Sequence, residues 1–315
     1  MTDQTTLIES DQAEKGKILL IGDLLIDKTY YVKPTKISPE APVLVASTLS
    51  PVPIEKAGGA GLAASYAVKN IDDTDFIFYT AISKEKKKWL EEKGINIQGY
   101  IIPDENIITK TRYIDEVSKY HIIRIDNDLA VGKYNIDYRK FCLLYYKLRE
   151  KKLDGVVLLD YRKGIFSNER LVNKIISAAK ENKIPVYVDS RNHDISKFKG
   201  ATWIKVNSKE YENAKEVLNC NCPKEIIKKL ECNGLIITKG EEGAELYTST
   251  SDLYYDYKAL VSNNSGTPDV TGCGDVFDIV FSNSLFVEKK SISESLIIAC
   301  NKASNFAYQP IKTRL

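Results

Sequence analysis

Lys17-Ile-Leu-Leu-Ile21 is apolar at every position rather than at alternate ones, the mark of a strand covered on both faces, and it stops at Gly22-Asp23. Asp75–Tyr79, Gly155–Asp160, Pro185–Asp189, Trp203–Val206 and Gly234–Thr238 read as further strands. Between them lie helical spacings. Asn168–Glu181 puts Leu171, Ile175, Ile176 and Ala179 on one face, and Ser208–Leu218, Pro223–Leu230 and the segments 274–287 and 291–307 also read as helices. Strands that alternate with helices predict an α/β fold, a doubly wound and mainly parallel sheet covered on both faces. Ligands of such sheets gather at the carboxyl ends of the strands. Asp23, Asp160, Asp189 and Asn207 all fall on that rim.

The first half breaks the alternation. Residues 28–55 are rich in Val, Thr and Tyr and carry prolines at 34, 39, 42, 51 and 53, which suits short edge strands and loops. Thr109–Ile114 and Tyr120–Ile125 alternate like a hairpin. Together, 28–55 and 107–126 predict a small β lid beside the main sheet. Region 244–260 predicts another hairpin. Gly58-Gly-Ala-Gly-Leu-Ala-Ala is a glycine turn opening a helix, and Lys84–Lys93 is a basic helix with a solvated face. Residues 1–16 are polar and of mixed charge, with no apolar core for a signal peptide, and are expected to form a disordered tail on one domain spanning 17–315.

Composition narrows the function by exclusion. The 315 residues are 43% hydrophobic and 28% charged, a globular balance. Lysine plus arginine number 45 against 43 acidic residues, so no net field is available to hold a nucleic acid or a membrane surface. No apolar run is long enough to span a bilayer. The six cysteines are scattered, and Cys220-Asn-Cys222 has neither zinc spacing nor a nearby histidine; reduced thiols in a cytoplasmic protein are expected. Gly59-Ala-Gly-Leu-Ala-Ala64 fits a loose dinucleotide pattern but lacks the strand before it. His121 and His193 are far apart and read as surface residues.

The strongest chemical signal is Asp269-Val-Thr-Gly-Cys-Gly-Asp275, directly before a helical segment. Amides in such a turn, backed by a helix N-terminus, suit an anion such as a phosphoryl group. An ordinary loop with an acidic residue in the first helical turn accounts for the segment equally well when it is taken alone.

That segment resembles the signature of the ribokinase-like (PfkB) sugar kinases, with Cys273 where a small alanine is usual. The resemblance runs from about Ile18 to about Tyr308 and is nearest to the D-glycero-β-D-manno-heptose-7-phosphate kinases. Gly22-Asp-Leu-Leu-Ile-Asp27, Ser38-Pro-Glu-Ala-Pro42, Ile123-Arg-Ile-Asp126 and Asp160-Tyr-Arg-Lys-Gly164 carry it. The resemblance implies Asp275 as catalytic base and Gly272, Cys273 and Gly274 as anion hole. It implies Asn207 and Glu210 for Mg²⁺, and Thr238, Gly240, Gly243 and Asn301 for ATP. It implies Asp23 and Asp27, with Gly58 and Gly59, for the sugar, and Arg124 and Lys163 for the sugar's own phosphate. A homodimer joined through the lid, and a separate nucleotidyltransferase acting on the product, are implied as well. Two features depart from the pattern. Leu62 stands where the family carries an asparagine that meets sugar hydroxyls, and 81–90 is short and lacks the usual Gly-x-Asp. A kinase for another sugar, or a non-catalytic sugar-phosphate sensor on the same fold, are the alternatives.

Overall fold

The computed structural model describes residues 14–129, 131–150, 152–249, 254–258 and 268–309. Strand β1 (Gly16–Gly22) runs almost directly into β2 (Leu24–Ile37), which is followed by β3 (Leu44–Thr48), β4 (Ile54–Gly59) and helix α1 (Ala60–Asn70). β5 (Thr74–Ile82), α2 (Lys84–Glu91), β6 (Asn96–Ile101), β7 (Thr109–Asp115), β8 (His121–Asn127) and α3 (Tyr138–Glu150) complete the first half. The second half alternates: β9 (Gly155–Asp160), α4 (Glu169–Glu181), β10 (Val186–Ser190), β11 (Trp203–Asn207), α5 (Ser208–Leu218), α6 (Pro223–Leu230) and β12 (Gly234–Thr238). It closes with β13 (Ala244–Thr248), β14 (Tyr254–Tyr257), α7 (Cys273–Phe286) and α8 (Ile292–Ala307).

Nine strands form one sheet in the order β14-β13-β12-β11-β10-β9-β1-β5-β6. From β12 to β6 every pairing is parallel, and only the β12–β13 and β13–β14 pairings are antiparallel. Alternate residues of the central strands feed two cores. Ile18 and Leu20 pack with α1, α7 and α8, and Leu19 and Ile21 pack with α3, α4, α5 and α6. That two-sided burial is why these strands are continuously apolar. A second sheet, β3-β2-β7-β8 with β4 on β2, is the expected lid.

The lid differs from expectation in one respect. β2 is a single 14-residue strand, central to the second sheet, rather than a set of short edge pieces. Pro34 is tolerated because β7 pairs β2 only from Ile26 to Val32, so at Pro34 the strand has β3 alone, with a bulge between Pro34 and Lys36. The basic helix α2 is also not wholly solvated. Lys86 is 8% exposed and pairs with Glu55 of β4 at 2.8 Å, while Lys28 of β2 reaches the same carboxylate at 3.1 Å, which ties the core helix to the lid. Strand β6 and helix α3 have no counterpart in the sequence reading. Of the expected tail, residues 1–13 lie outside the described residues, and Gly16 already donates to the Asp73 carbonyl.

Leu20 is fully buried in the middle of the parallel sheet. Leu20→Ala should cost about 2–5 kcal/mol, read as a lower urea midpoint at unchanged slope.

Candidate active site

Helix α7 begins at the bottom of a turn that only glycine suits. Gly272 caps it with φ of 86°, and a β-carbon there would sit 2.8 Å from Leu62 Cδ1. Leu62, at the position where the family carries an asparagine, packs against this turn. Asp269 fixes the approach by accepting from the Thr271 amide at 2.9 Å. The Cys273 amide donates to the Val270 carbonyl at 3.2 Å. So, among the described residues, the amides of Gly272 and Gly274 remain for an anion, and Cys273 serves the turn instead. Lys205 of β11 lies just beneath, its Nζ 3.4 Å from where a Gly274 β-carbon would be. Its ammonium pairs with Asp189 at 2.8 Å and Asp278 at 3.0 Å. Burial alone would pull the Lys205 pKa down, but the two carboxylates outweigh it and hold it up.

Asp275 sits in the first turn of α7, 5% exposed. Burial pushes its carboxyl well above the usual carboxylate range, with Asp27 adding to the shift and Lys110 opposing it. The Tyr161 hydroxyl donates to its Oδ1.

The other expected acceptor-side residues fall into two groups. Asp27, on β2, faces this region and is paired with Arg112 of the lid strand β7 at 2.5 Å. Gly58 is glycine because a β-carbon would lie 2.2 Å from Asp27 Oδ2, and Gly59 is the N-cap of α1. Asp23, by contrast, is engaged by the backbone of the 161–165 loop. It is fully buried, and its carboxylate accepts from the amides of Tyr161, Lys163 and Ile165 at 3.0, 3.1 and 3.0 Å. Burial, with Asp160 nearby, pushes its pKa up to about 7. Arg124 is spent on Asp126 at 2.9 Å and is more than half exposed. Lys163 is held by both oxygens of Asp128 at 2.8 Å. Lys110 of β7, which sequence reasoning passed over, is half-buried and has no carboxylate partner among the described residues. Burial lowers its pKa, Asp27 raises it, and Arg191 and Lys163 lower it again. It lies on the same row of the lid as Asp27, its register partner.

Next to Asp275 opens a cleft of 590 Å³. Asn207, Glu210, Thr238, Gly240, Gly243, Cys273 and Gly274 line it. Asn301 does not. Its Oδ1 accepts from the Tyr257 hydroxyl at 3.0 Å, and the face of α8 presented to the cleft is Cys300, Ala303, Ser304 and Ala307, a helical step off Asn301. Asn207 and Glu210 form a capping box for α5, in which Asn207 Oδ1 accepts from the Glu210 amide at 2.9 Å and Glu210 Oε2 from the Asn207 amide at 2.8 Å. Arg191, at the end of β10, also lines the cleft and lies 4.2 Å over the Tyr161 ring.

Residues 17–309 match the model of the pfkB family carbohydrate kinases. The chain belongs to that family. The kinase is 27% identical over 281 residues to "Bifunctional protein HldE" of Coxiella burnetii strain Dugway 5J108-111, covering 86% of this chain and 56% of that protein. It is 28% identical over 300 residues to the protein of the same name from Haemophilus influenzae strain PittEE, covering 92% and 60%. The chain therefore spans little more than half the length of these relatives. Its fold is shared with phosphofructokinase-2 from Escherichia coli in complex with potassium (TM-score 0.68, 17% identity, 96% and 94% covered). It is likewise shared with Arabidopsis thaliana ribokinase complexed with ribose and ATP (TM-score 0.67, 14% identity, 92% of each covered). Its fold is ribokinase-like, and no helix among its described residues is long and apolar enough to cross a membrane.

The donor set at the cleft fits a divalent cation carried in with phosphates. No group of three acidic, cysteine or histidine side chains among the described residues could cage a metal alone. Glu210 is nevertheless pushed above its ordinary pKa by burial and by the neighbouring Asp189 carboxylate, a repulsion that a shared cation would relieve. Mg²⁺ is commonly held in this way, by one or two carboxylates, water and phosphate oxygens.

Asp275→Asn should lower turnover by roughly 10²–10⁴ while leaving ATP affinity intact, measured by coupled ADP release and calorimetry. A base must be ionised to act, so with Asp275 in that role and its pKa raised, wild-type turnover should fall as pH drops through that raised value.

Proposed function

We propose that this kinase phosphorylates the anomeric hydroxyl of a D-glycero-D-manno-heptose 7-phosphate, giving the 1,7-bisphosphate for nucleotide-activated heptose. One observation carries the reading. Asp275, a buried carboxylate beside two unengaged amides at a helix N-terminus, stands where the nucleotide cleft meets the lid-covered acceptor side. A base that touches both sides is what transfer to an alcohol requires, and a sensor has no need of it.

In this mechanism Asp275 accepts the proton of the attacking hydroxyl. The Gly272 and Gly274 amides, with the Lys205 ammonium behind them, receive the terminal phosphoryl group. Arg191 flanks it from the end of β10. Positioning and charge neutralisation dominate such a reaction, whose transition state is loose. Glu210, with Asn207 and Asp189 beside it, would hold Mg²⁺, which supplies countercharge to the phosphates. Lid closure excludes water that would otherwise consume ATP.

The substrate class rests on Lys110 and on the relatives. A half-buried ammonium without a carboxylate partner, close to Arg191 and Lys163, suits an acceptor that brings its own phosphate. The Ser38-Pro-Glu-Ala-Pro42 segment and the similarity to the HldE proteins favour a heptose. A homodimer through the lid is supported by Ile123 and Ile125 of β8, each 52% exposed on one face of the second sheet.

A coupled ADP-release assay should give the highest kcat/KM on heptose 7-phosphate. Higher kcat/KM on ribose, fructose or another phosphosugar would replace the heptose assignment, and ATP binding with no turnover of any sugar would favour a sensor. Lys110→Met should raise KM for the phosphosugar about 10–100-fold and leave KM for ATP unchanged.

A further inference from the structure

Tyr161 is held from three directions at once. Its amide donates to Asp23 Oδ2 at 3.0 Å, its ring lies under the Arg191 guanidinium at 4.2 Å, and its hydroxyl donates to Asp275 Oδ1. The ring is 8% exposed, so little solvent competes for that hydroxyl. The loop that carries it is equally fixed. Asp23 takes two more amides from it, at Lys163 and Ile165, and Asp160, directly before Tyr161, pairs with Lys197 at 2.7 Å and accepts from the Arg162 amide at 2.9 Å. So many constraints on one aromatic side chain fix the position of its oxygen.

We propose that Tyr161 is a positioning residue for the base: it ties up Oδ1 of Asp275, fixes the carboxylate rotamer, and leaves Oδ2 to meet the acceptor hydroxyl. The inference rests on the functional reading above only in taking Asp275 as the base. A donor to the ionised carboxylate also favours the charged form, which burial and Asp27 disfavour. The other charged groups around Asp275 are Lys110 from β7, Lys205 from β11, Arg191 beyond β10 and Asp278 one turn along α7. Among the described residues, none of these groups hydrogen-bonds its carboxylate. The arrangement also gives Asp23 its purpose. It is an acid of the sheet rim that builds the loop which orients the base, rather than a sugar contact.

The test is Tyr161→Phe, which removes one oxygen and keeps the ring under Arg191. We expect kcat to fall about 10–100-fold with KM for ATP within twofold, and the acid limb of the kcat profile to move up by about one pH unit. A ¹³C titration of the aspartate carboxyls, with the Asp275 signal assigned by its loss in Asp275→Asn, should show the same upward shift without any need for turnover. An unmoved Asp275 titration in Tyr161→Phe overturns the proposal, whatever becomes of stability or kcat. If the wild type turned over no sugar at all, the functional reading would fail, while the titration would still decide the role of Tyr161.

Discussion

A carboxylate must stay reactive in a place that disfavours its charge. Asp275 is buried at the start of α7, and the rest of the site can be understood as the set of conditions that make this tolerable. The helix N-terminus supplies positive potential from its unpaired amides. Lys110 opposes the burial shift from the lid, and Tyr161 donates to one oxygen. Water alone would satisfy the group more cheaply, but water in the cleft would also compete with the sugar for the phosphoryl group.

Beneath the turn the same logic is applied to a cation. Lys205 is 4% exposed and would not remain charged by itself, yet Asp189 and Asp278 bracket it, and the Tyr187 hydroxyl in turn donates to Asp278 at 2.7 Å. Breaking one member of such a buried set leaves an uncompensated charge, which is far more costly than never having built it. The network thus ties the ends of β10 and β11 and helix α7 into one rigid floor. Rigidity there would serve an anion hole, which works by being already in place.

The strand ends divide their labour. Asp23 and Asp160 are sealed and saturated with loop amides, Ser190 and Lys197, and so act as masonry for the 161–165 loop. Asn207 and Glu210 do two things at once, since the motif that caps α5 also presents Glu210 to the cleft. Asp27 remains the polar group of the first strand pair that faces the acceptor side, and Gly58 is small so that it can.

Periodicity in the chain was enough for the parallel sheet apart from its edge strand β6, for α4 to α8 and for the existence of a lid, because fully buried strands and amphipathic helices write their burial directly into residue order. The Asp269–Asp275 turn was legible for a similar reason, as a short contiguous motif that works through its own backbone. What stayed hidden depends on residues far apart in the chain. Lys205, Arg191, Tyr161 and Lys110 look like ordinary strand and loop residues until the sheet brings them around Asp275, and Asp23 looks like a ligand until its amide partners, some 140 residues on, are seen to fill it. Which polar side chains are satisfied and which are left free is a property of partners, and partners across such separations are chosen only when the chain has folded.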